Sequence, residues 1–291
     1  MKKKLVLLLM AIITLSCKKQ ITIDLPDMVN QPVINLLMAK DSFITALVTK
    51  SQYLGPMNSD PRFGFSTIPD AKVTLYENGG YKEELQRITN IWGTYYKSTV
   101  KARPGIAYRV TVAVNGYPEM EGTDSIPPST IPGNLTFRKV ASDDSKSKAN
   151  ITLELIDKPG EKNYYRIRMY EHLTDNDTTM ALAGLSFISS DPYDILFGKK
   201  ERREFFTDDQ FFDGHTRRLN FIVSSDLGFK HPLELEVTTL TYSSYNYLFS
   251  SFLAEEKNED VLSEKVIVFS NVLHGLGIVG GMSIERYKII Y

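Results

Sequence analysis

Tyr108-Arg109-Val110-Thr111-Val112-Ala113-Val114 carries apolar side chains at every even position and polar ones at two of its three odd positions. Successive side chains of a β-strand point to opposite faces, so this alternation predicts a strand with one buried face. Working outward, similar β-branched or alternating stretches occupy residues 32–39, 43–49, 71–76 and 94–100. Asn78-Gly79-Gly80 and Asn115-Gly116 lie between strands and read as type I′ hairpin turns, because that geometry needs positive φ at its central residues. Short strands separated by turns at this spacing indicate an all-β sandwich.

Beyond residue 133 the pattern continues at 134–140, 151–156, 164–170, 219–223 and 233–239. One helix interrupts it. Thr241 is placed to N-cap a segment reaching about Lys257, and Tyr245, Leu248, Phe249, Phe252 and Leu253 recur at helical spacing on one face. That stripe reads as core packing rather than as a ligand platform. Pro127, Pro128 and Pro132 stiffen the stretch between the two β-rich regions, which marks a connector. The expected organisation is a signal peptide at 1–16, a lipidated tether at 17–31, a β-sandwich at 32–125, a connector at 126–133, and a second β domain with one amphipathic helix near 241–257 at 134–291.

The tether follows from the N-terminus. Lys2-Lys3-Lys4 precedes an apolar run over residues 5–15, long enough for a signal-peptide core and too short for a bilayer span of about 20 residues. Leu15-Ser16-Cys17 follows, and Cys17 is the single cysteine of the chain. The arrangement resembles a bacterial lipoprotein signal, although Thr14 stands where the strict motif prefers leucine. Two or three acyl chains on Cys17 would anchor the protein firmly, since each buried methylene contributes about 0.8 kcal/mol. Resemblance to the sorting rule of many Gram-negative bacteria, in which an aspartate after the cysteine retains the protein in the inner membrane, favours the outer membrane, because Lys18 occupies that position. The leaflet stays open.

Composition bounds the function. With 34 Lys+Arg against 35 Asp+Glu the 291-residue chain has a net charge of -1, and loss of Lys2, Lys3 and Lys4 with the signal moves it to -4. Bulk nucleic-acid binding is disfavoured. A content of 42% hydrophobic and 24% charged residues supports a sizeable core. The mature chain has no thiol for an internal disulfide, so packing must stabilise it in an oxidising compartment.

The order Asp70 to Leu75, Gly93 to Tyr96 and Pro104 to Val110 resembles transthyretin-like and carboxypeptidase-regulatory-like modules, which are mostly adaptors. A wider resemblance rests on Cys17, Asp24-Leu25-Pro26, Ile126-Pro127-Pro128, Asp208-Asp209 through Asp213-Gly214, and the closing Ser270-Asn271 to Gly280-Gly281 run. On these the chain is similar to the Bacteroidota lipoproteins grouped as domain of unknown function 4249, over essentially the whole mature sequence. The resemblance implies an accessory role beside a TonB-dependent outer-membrane barrel and transfers no catalytic residues.

Local chemistry is sparse. Gly275-x-Gly277-x-x-Gly280 matches a dinucleotide fingerprint in form, but only ten residues from Met282 follow the glycines, too few for a βαβ unit. Close backbone packing or positive φ explains the glycines better. Residues 266–270 ahead of them suggest a strand. Asp208, Asp209 and Asp213 lack calcium-loop spacing, Asp175-Asn176-Asp177 comes closer to it but lacks a following glycine and a distal glutamate, and both groups read as turns and caps. His172, His215, His231 and His274 are scattered, and no nucleophile elbow is present. Lys199 to Arg203 is a basic run broken by Glu201 and reads as a solvated loop. No cofactor or metal is expected.

Residues 51–69 form a long interstrand loop with Tyr53, Leu54, Met57, Phe63 and Phe65, too apolar for a free linker. Either it covers the sandwich edge or it presents Tyr53, Phe63 and Phe65 to a partner. The expected function is a non-enzymatic, lipid-anchored outer-membrane accessory or binding protein working with a TonB-dependent receptor in nutrient uptake. The alternative is a surface glycan-binding or glycan-processing lipoprotein, which should expose coplanar aromatics flanked by carboxylates.

Overall fold

The computed structural model describes residues 30–51, 66–91, 93–140, 146–173, 182–190, 200–257 and 264–289. Before the connector lie β1 (Pro32–Ala39), β2 (Phe43–Lys50), β3 (Lys72–Glu77), β4 (Gly80–Glu84), β5 (Gln86–Asn90), β6 (Gly93–Lys101), β7 (Ala107–Ala113) and β8 (Met120–Ser125). From its end onward come β9 (Pro132–Val140), β10 (Ser147–Ile156), β11 (Tyr164–His172), β12 (Leu182–Gly184), β13 (Ser186–Ser189), β14 (Glu204–Asp208), β15 (Thr216–Ser225), β16 (Leu233–Leu240), α1 (Tyr242–Lys257) and β17 (Leu276–Ile289). Among the described residues the fold is mainly β with one helix, in the sandwich-like arrangement that the alternation implied.

One large sheet backs the molecule. Its strand order is β12-β11-β16-β17-β1-β2-β6-β5, with β14 also paired to β11. Two four-stranded sheets, β4-β3-β7-β8 and β13-β15-β10-β9, complete the set. The first core unites Ile34, Leu36 and Met38 of β1 with Tyr108, Val110 and Val112 of β7 and with Val279 of β17. The second gathers Ile151 and Leu153 of β10, Tyr165 and Ile167 of β11, and Phe221 of β15, and takes Ile289 from the far end of β17. Each large aliphatic side chain buried in this way stabilises the fold by about 1.5–3 kcal/mol. The two cores lie on either side of the connector in sequence, yet the last strand belongs to both.

β17 pairs antiparallel with β16 and parallel with β1, Val33 opposite Leu276 and Ala39 opposite Met282. Its glycines decide whether this insertion is possible. Gly277 has φ +111°, and a Cβ there would run into the carbonyl of Ile34. A Cβ on Gly281 would meet the carbonyl of Ser125, where the connector leaves β8, and one on Gly280 would meet the hydroxyl of Ser244 in α1. The connector is then fastened over β17 by Ser283 Oγ donating to Pro127 O at 2.5 Å. The closing glycines therefore serve close backbone packing, as their pattern suggested.

The expected strand at 266–270 is not formed. Phe269 N donates to Ser250 Oγ of α1 at 2.9 Å, and the Asn271 amide brackets Val279, accepting from its N–H at 3.0 Å and donating to its carbonyl at 2.7 Å. These side-chain contacts occupy the backbone groups that a strand ladder would need. Asn78 and Gly79 both take positive φ, as a type I′ turn requires, but of Asn115 and Gly116 only the glycine does. Tyr117 N donates to Val114 O at 3.1 Å, so that turn has the single positive φ of type II geometry.

Opposite the cores, the large sheet carries charge. Arg168, Glu236 and Arg286 form one cross-strand rung on β11, β16 and β17. Glu236 is fully buried and receives Arg168 Nε at 2.8 Å on one oxygen and Arg286 Nη2 at 3.1 Å on the other. A carboxylate so far from water persists only with this much donor support. Helix α1 packs on the same face, with Tyr245, Phe249 and Phe252 around Phe206 of β14 at ring separations of 6.1, 5.7 and 5.8 Å. Three of the five stripe residues thus pack on the sheet. Thr241 caps the helix by accepting from Ser244 N at 3.3 Å.

Replacing Gly277 by alanine should cost about 2–4 kcal/mol, from the overpacked Cβ and the unfavourable φ together. Urea unfolding measures it. A Gly277→Ala protein with wild-type stability would refute the close-packing role.

Candidate functional site

Two loops meet at the start of β11. Residues 157–163 join β10 to β11, and residues 209–215 join β14 to β15. Because β14 lies beside β11, the loops are brought together and laced by backbone-to-carboxylate bonds. Asn163 N donates to Asp209 Oδ2 at 2.6 Å, Gly160 N to Asp213 Oδ1 at 2.8 Å, and Gly214 N to Asp157 Oδ2 at 3.0 Å. Tyr165 O–H closes the set by donating to Asp157 Oδ1 at 2.6 Å. Gly214 sits at φ +70°, where a Cβ would press on Pro159 at 2.8 Å. Phe212 is buried against Tyr165, while its neighbour Phe211 stays 63% exposed.

Ligand oxygens of Asp157, Asp209 and Asp213 all lie within 4.8 Å of one another. This is where a hard cation would be held, since calcium takes several carboxylate oxygens. Both Asp157 oxygens and Asp209 Oδ2, however, already accept protein hydrogen bonds. The group braces the two loops. Sequence reading gave Asp209 and Asp213 turn roles but missed Asp157, because nothing in local spacing joins a residue fifty positions upstream.

A groove opens over these loops. One cleft of about 550 Å³ is lined by Gly160, Glu161, Lys162, Tyr164, Asp208, Asp209, Gln210 and Asp213. It adjoins a second of about 480 Å³ that shares Glu161, Lys162 and Tyr164 and continues past Thr241 and Tyr242 to Asp124 and the connector. Tyr164 and Tyr242 form an aromatic corner, their centroids 5.9 Å apart and planes at 66°. Tyr245 backs Tyr164 at 4.9 Å. Tyr242 is 60% exposed at the mouth.

The electrostatics are those of a negative site. Burial, then the charge of Asp208, raises the pKa of Tyr164 and Tyr245. Burial raises that of Asp209 above the ordinary carboxylate range; its bond from Asn163 N lowers it, and the charges of Asp157 and Asp208 raise it further. Asp124 is likewise raised by burial, against bonds from Thr241 Oγ1 at 2.5 Å and Gly281 N at 2.9 Å. It holds β8, α1 and β17 at one point.

Cys17, Tyr53, Phe63 and Phe65 lie outside the described residues, as does Asp175-Asn176-Asp177. The roots of the 51–69 loop are described. Ser51 N donates to Gln31 O at 2.8 Å, and Gln31 N to Ser51 Oγ at 2.8 Å. On the other side of the loop Lys50 N donates to Ser66 O at 3.2 Å. The chain therefore enters β1 at the same place from which this loop departs. Of the histidines, His215 bonds Asp213 O, His274 bonds Glu119 O, and His172 lies 3.4 Å from Glu234. In the basic run, Arg202 lies over the Phe252 ring and pairs with Glu256 at 3.4 Å.

A family profile described as a domain of unknown function, DUF4249, matches residues 18–288. No curated protein sequence matches the chain.

The raised pKa of Asp209 has a pH consequence. A carboxyl that binds its proton more tightly when folded contributes stability that is complete below its unfolded value, near 3.8, and lost as pH rises through the folded one. Asparagine at 209 keeps an acceptor for Asn163 N and carries no charge. Asp209→Asn should therefore be more stable than the parent at pH 7, with the difference closing toward about pH 4. Denaturant melts at the two pH values test this, and a variant less stable at pH 7 would count against it.

Proposed function

As the chain belongs to the DUF4249 family, we propose that it is a lipid-anchored, non-catalytic binding component of the outer membrane, working beside a TonB-dependent receptor in nutrient uptake. The observation that carries this reading is the shared root of tether and loop. Gln31, the end of the 17–31 tether, is hydrogen-bonded to Ser51, the start of the aromatic loop. Thirteen Cα-to-Cα steps lead from Cys17 to Asn30 and reach at most about 45 Å. The loop bearing Tyr53, Phe63 and Phe65 is thereby rooted beside the point where the tether joins β1, and an anchor on Cys17 would bring that root toward a barrel in the same membrane. Aromatic side chains are the residue class most able to hold such a partner.

The groove supports a binding role over a catalytic one. A general acid or base needs a carboxyl oxygen turned toward the reacting atoms. Here the inner carboxylates are turned toward backbone N–H groups and Tyr165, which fixes loops and spends the oxygens on structure. Asp208 and Asp213 at the cleft edge also each commit one oxygen to a backbone N–H, that of Gln210 at 3.2 Å and that of Gly160 at 2.8 Å.

Two experiments test the reading. Changing Cys17→Ala should release the protein from membranes without changing its melting temperature; continued association after a high-salt wash would sink the anchor. Replacing Tyr53, Phe63 and Phe65 together with serine should abolish recovery of a TonB-dependent barrel by affinity purification from detergent-solubilised outer membranes, at unchanged melting temperature. A lowered melting temperature with the barrel still recovered would make the loop part of the core.

A further inference from the structure

We propose that the end of the first core at which β1 begins lies against the lipid, with Ile91, Leu273 and Leu276 set into the headgroup layer. The inference rests on the lipid-anchor reading and gives it an orientation. Strand pairing gathers the three side chains. Val33, next to the start of β1, stands opposite Leu276 of β17 on one side and Thr49 of β2 on the other. Thr49 bridges Thr67, and Thr94 N donates to Thr67 Oγ1 at 3.4 Å, which brings the β5–β6 turn bearing Ile91 to the same end. From β17 to β6 there are three strand spacings, about 14 Å. On the facing sheet Leu273 pairs with Glu121 of β8, donating its N–H at 2.8 Å and accepting at 3.3 Å. A Cβ on Gly275 would lie 3.1 Å from Pro32 O, so the 273–276 turn sits against the first residue of β1.

These side chains are open on a fixed backbone. Ile91 is 91% exposed, Leu273 61% and Leu276 41%, and the ladder bonds of the two leucines set the way they face. One exposed aliphatic residue is ordinary, but three on neighbouring turns at one end of a sandwich make a surface. The turns at the opposite end are polar: Lys40-Asp41-Ser42, Asn78-Gly79 and Arg103-Pro104-Gly105. Aromatic rings near that end are already engaged. Phe43 lies under the ammonium groups of Lys97 at 4.7 Å and Lys101 at 5.8 Å, and Tyr81 meets Tyr76 edge-on at 6.1 Å.

The tether decides the occupant. The chain leading from Cys17 ends at Asn30 and Gln31, beside this surface, so an acyl anchor brings it toward the bilayer. A tether alone leaves the orientation free, and the apolar tips settle it. Separate tips spread over about 14 Å suit a fluid surface, because a rigid protein partner needs roughly 800 Å² of continuous complementary area. The boundary between headgroups and acyl chains accepts apolar side chains to a depth of about 5–10 Å. Exposed charges of both signs stand around the tips, Lys50 and Lys72 with Asp70 and Glu119, so the contact does not depend on anionic lipid. β17 then runs from Leu276 in the lipid-facing turn to Ile289 in the second core, a span of up to about 43 Å that holds the second core away from the bilayer.

The test places the lipidated full chain on phosphatidylcholine vesicles and reads a polarity-sensitive dye on one introduced thiol, Ile91→Cys, Leu273→Cys or Leu276→Cys. Acylation occupies the Cys17 thiol, so the dye goes to the new site. Asn78→Cys reports on the opposite end, and Ile267→Cys on an equally open aliphatic position, 90% exposed, in the segment that lies along α1. On protein that floats with the vesicles, emission from positions 91, 273 and 276 should shift to the blue and be quenched by nitroxide-bearing lipid, with positions 78 and 267 unchanged. Ile91→Asp with Leu273→Asp should keep flotation and melting temperature and return the dye at 276 to its emission in water. Water-like emission at all three tips on floating protein overturns the proposal and leaves the anchor standing. Quenching at 78 or 267 as well means that the molecule lies flat, which also overturns it. So does blue-shifted emission of the Cys17→Ala protein without vesicles, through cover by its own chain or, if it grows with protein concentration, by a second copy. Failure of the lipidated parent to float sinks the anchor reading itself, and the orientation with it.

Discussion

The fold depends on how closely β17 can approach its neighbours. A parallel strand slipped between β1 and β16 must tolerate the Ile34 carbonyl on one side, the Ser125 carbonyl above and Ser244 of the helix below, and a side chain at 277, 280 or 281 would collide with each in turn. Glycine is the residue that permits this, at the cost of conformational entropy that the surrounding ladder offsets. Once the strand is seated, Val279 joins one core and Ile289 the other, so the regions before and after the connector share a sheet. Asp124 then ties the N-cap of α1 and the backbone of Gly281 to β8. The groove inherits its shape from this junction, since Tyr242 begins the helix whose cap Asp124 holds.

The buried face of the large sheet shows how the same strands manage opposite demands. β16 is buried along its full length, with Leu233, Leu235 and Val237 in the second core and Glu234 and Glu236 on the other side. An acidic residue at 0% exposure would ordinarily be costly. Arg168 and Arg286 on the flanking strands stand in register with Glu236, so each carboxylate oxygen meets an arginine edge-on. Charge pairing across the rung lets a central strand remain polar on one face without water.

Much of this was legible in the sequence where the determinant is local. Alternation at Tyr108 to Val114 yields a strand because the pleat has period 2, and Thr241 caps the helix because a hydroxyl at that position reaches the N–H of Ser244. The glycine run was readable as close packing, but not as a strand, since its partner β1 lies more than two hundred residues earlier. The same limit hid the brace of Asp157, Asp209 and Asp213 and the Tyr164–Tyr242 corner. Pairing β11 with β14 and β16 creates those neighbours, and no spacing along the chain encodes them.

The order in which the strands are made carries a consequence of its own. β1 is synthesised more than two hundred residues before β17, so one edge of β1 has no partner until that strand emerges. An edge strand exposing free N–H and C=O groups is a template for wrong pairing with other chains. Long-range pairings of this kind are slow to form. Without residues 277–291 both the β1 and β16 edges would stand open, and the outcome would be aggregation instead of a smaller folded product.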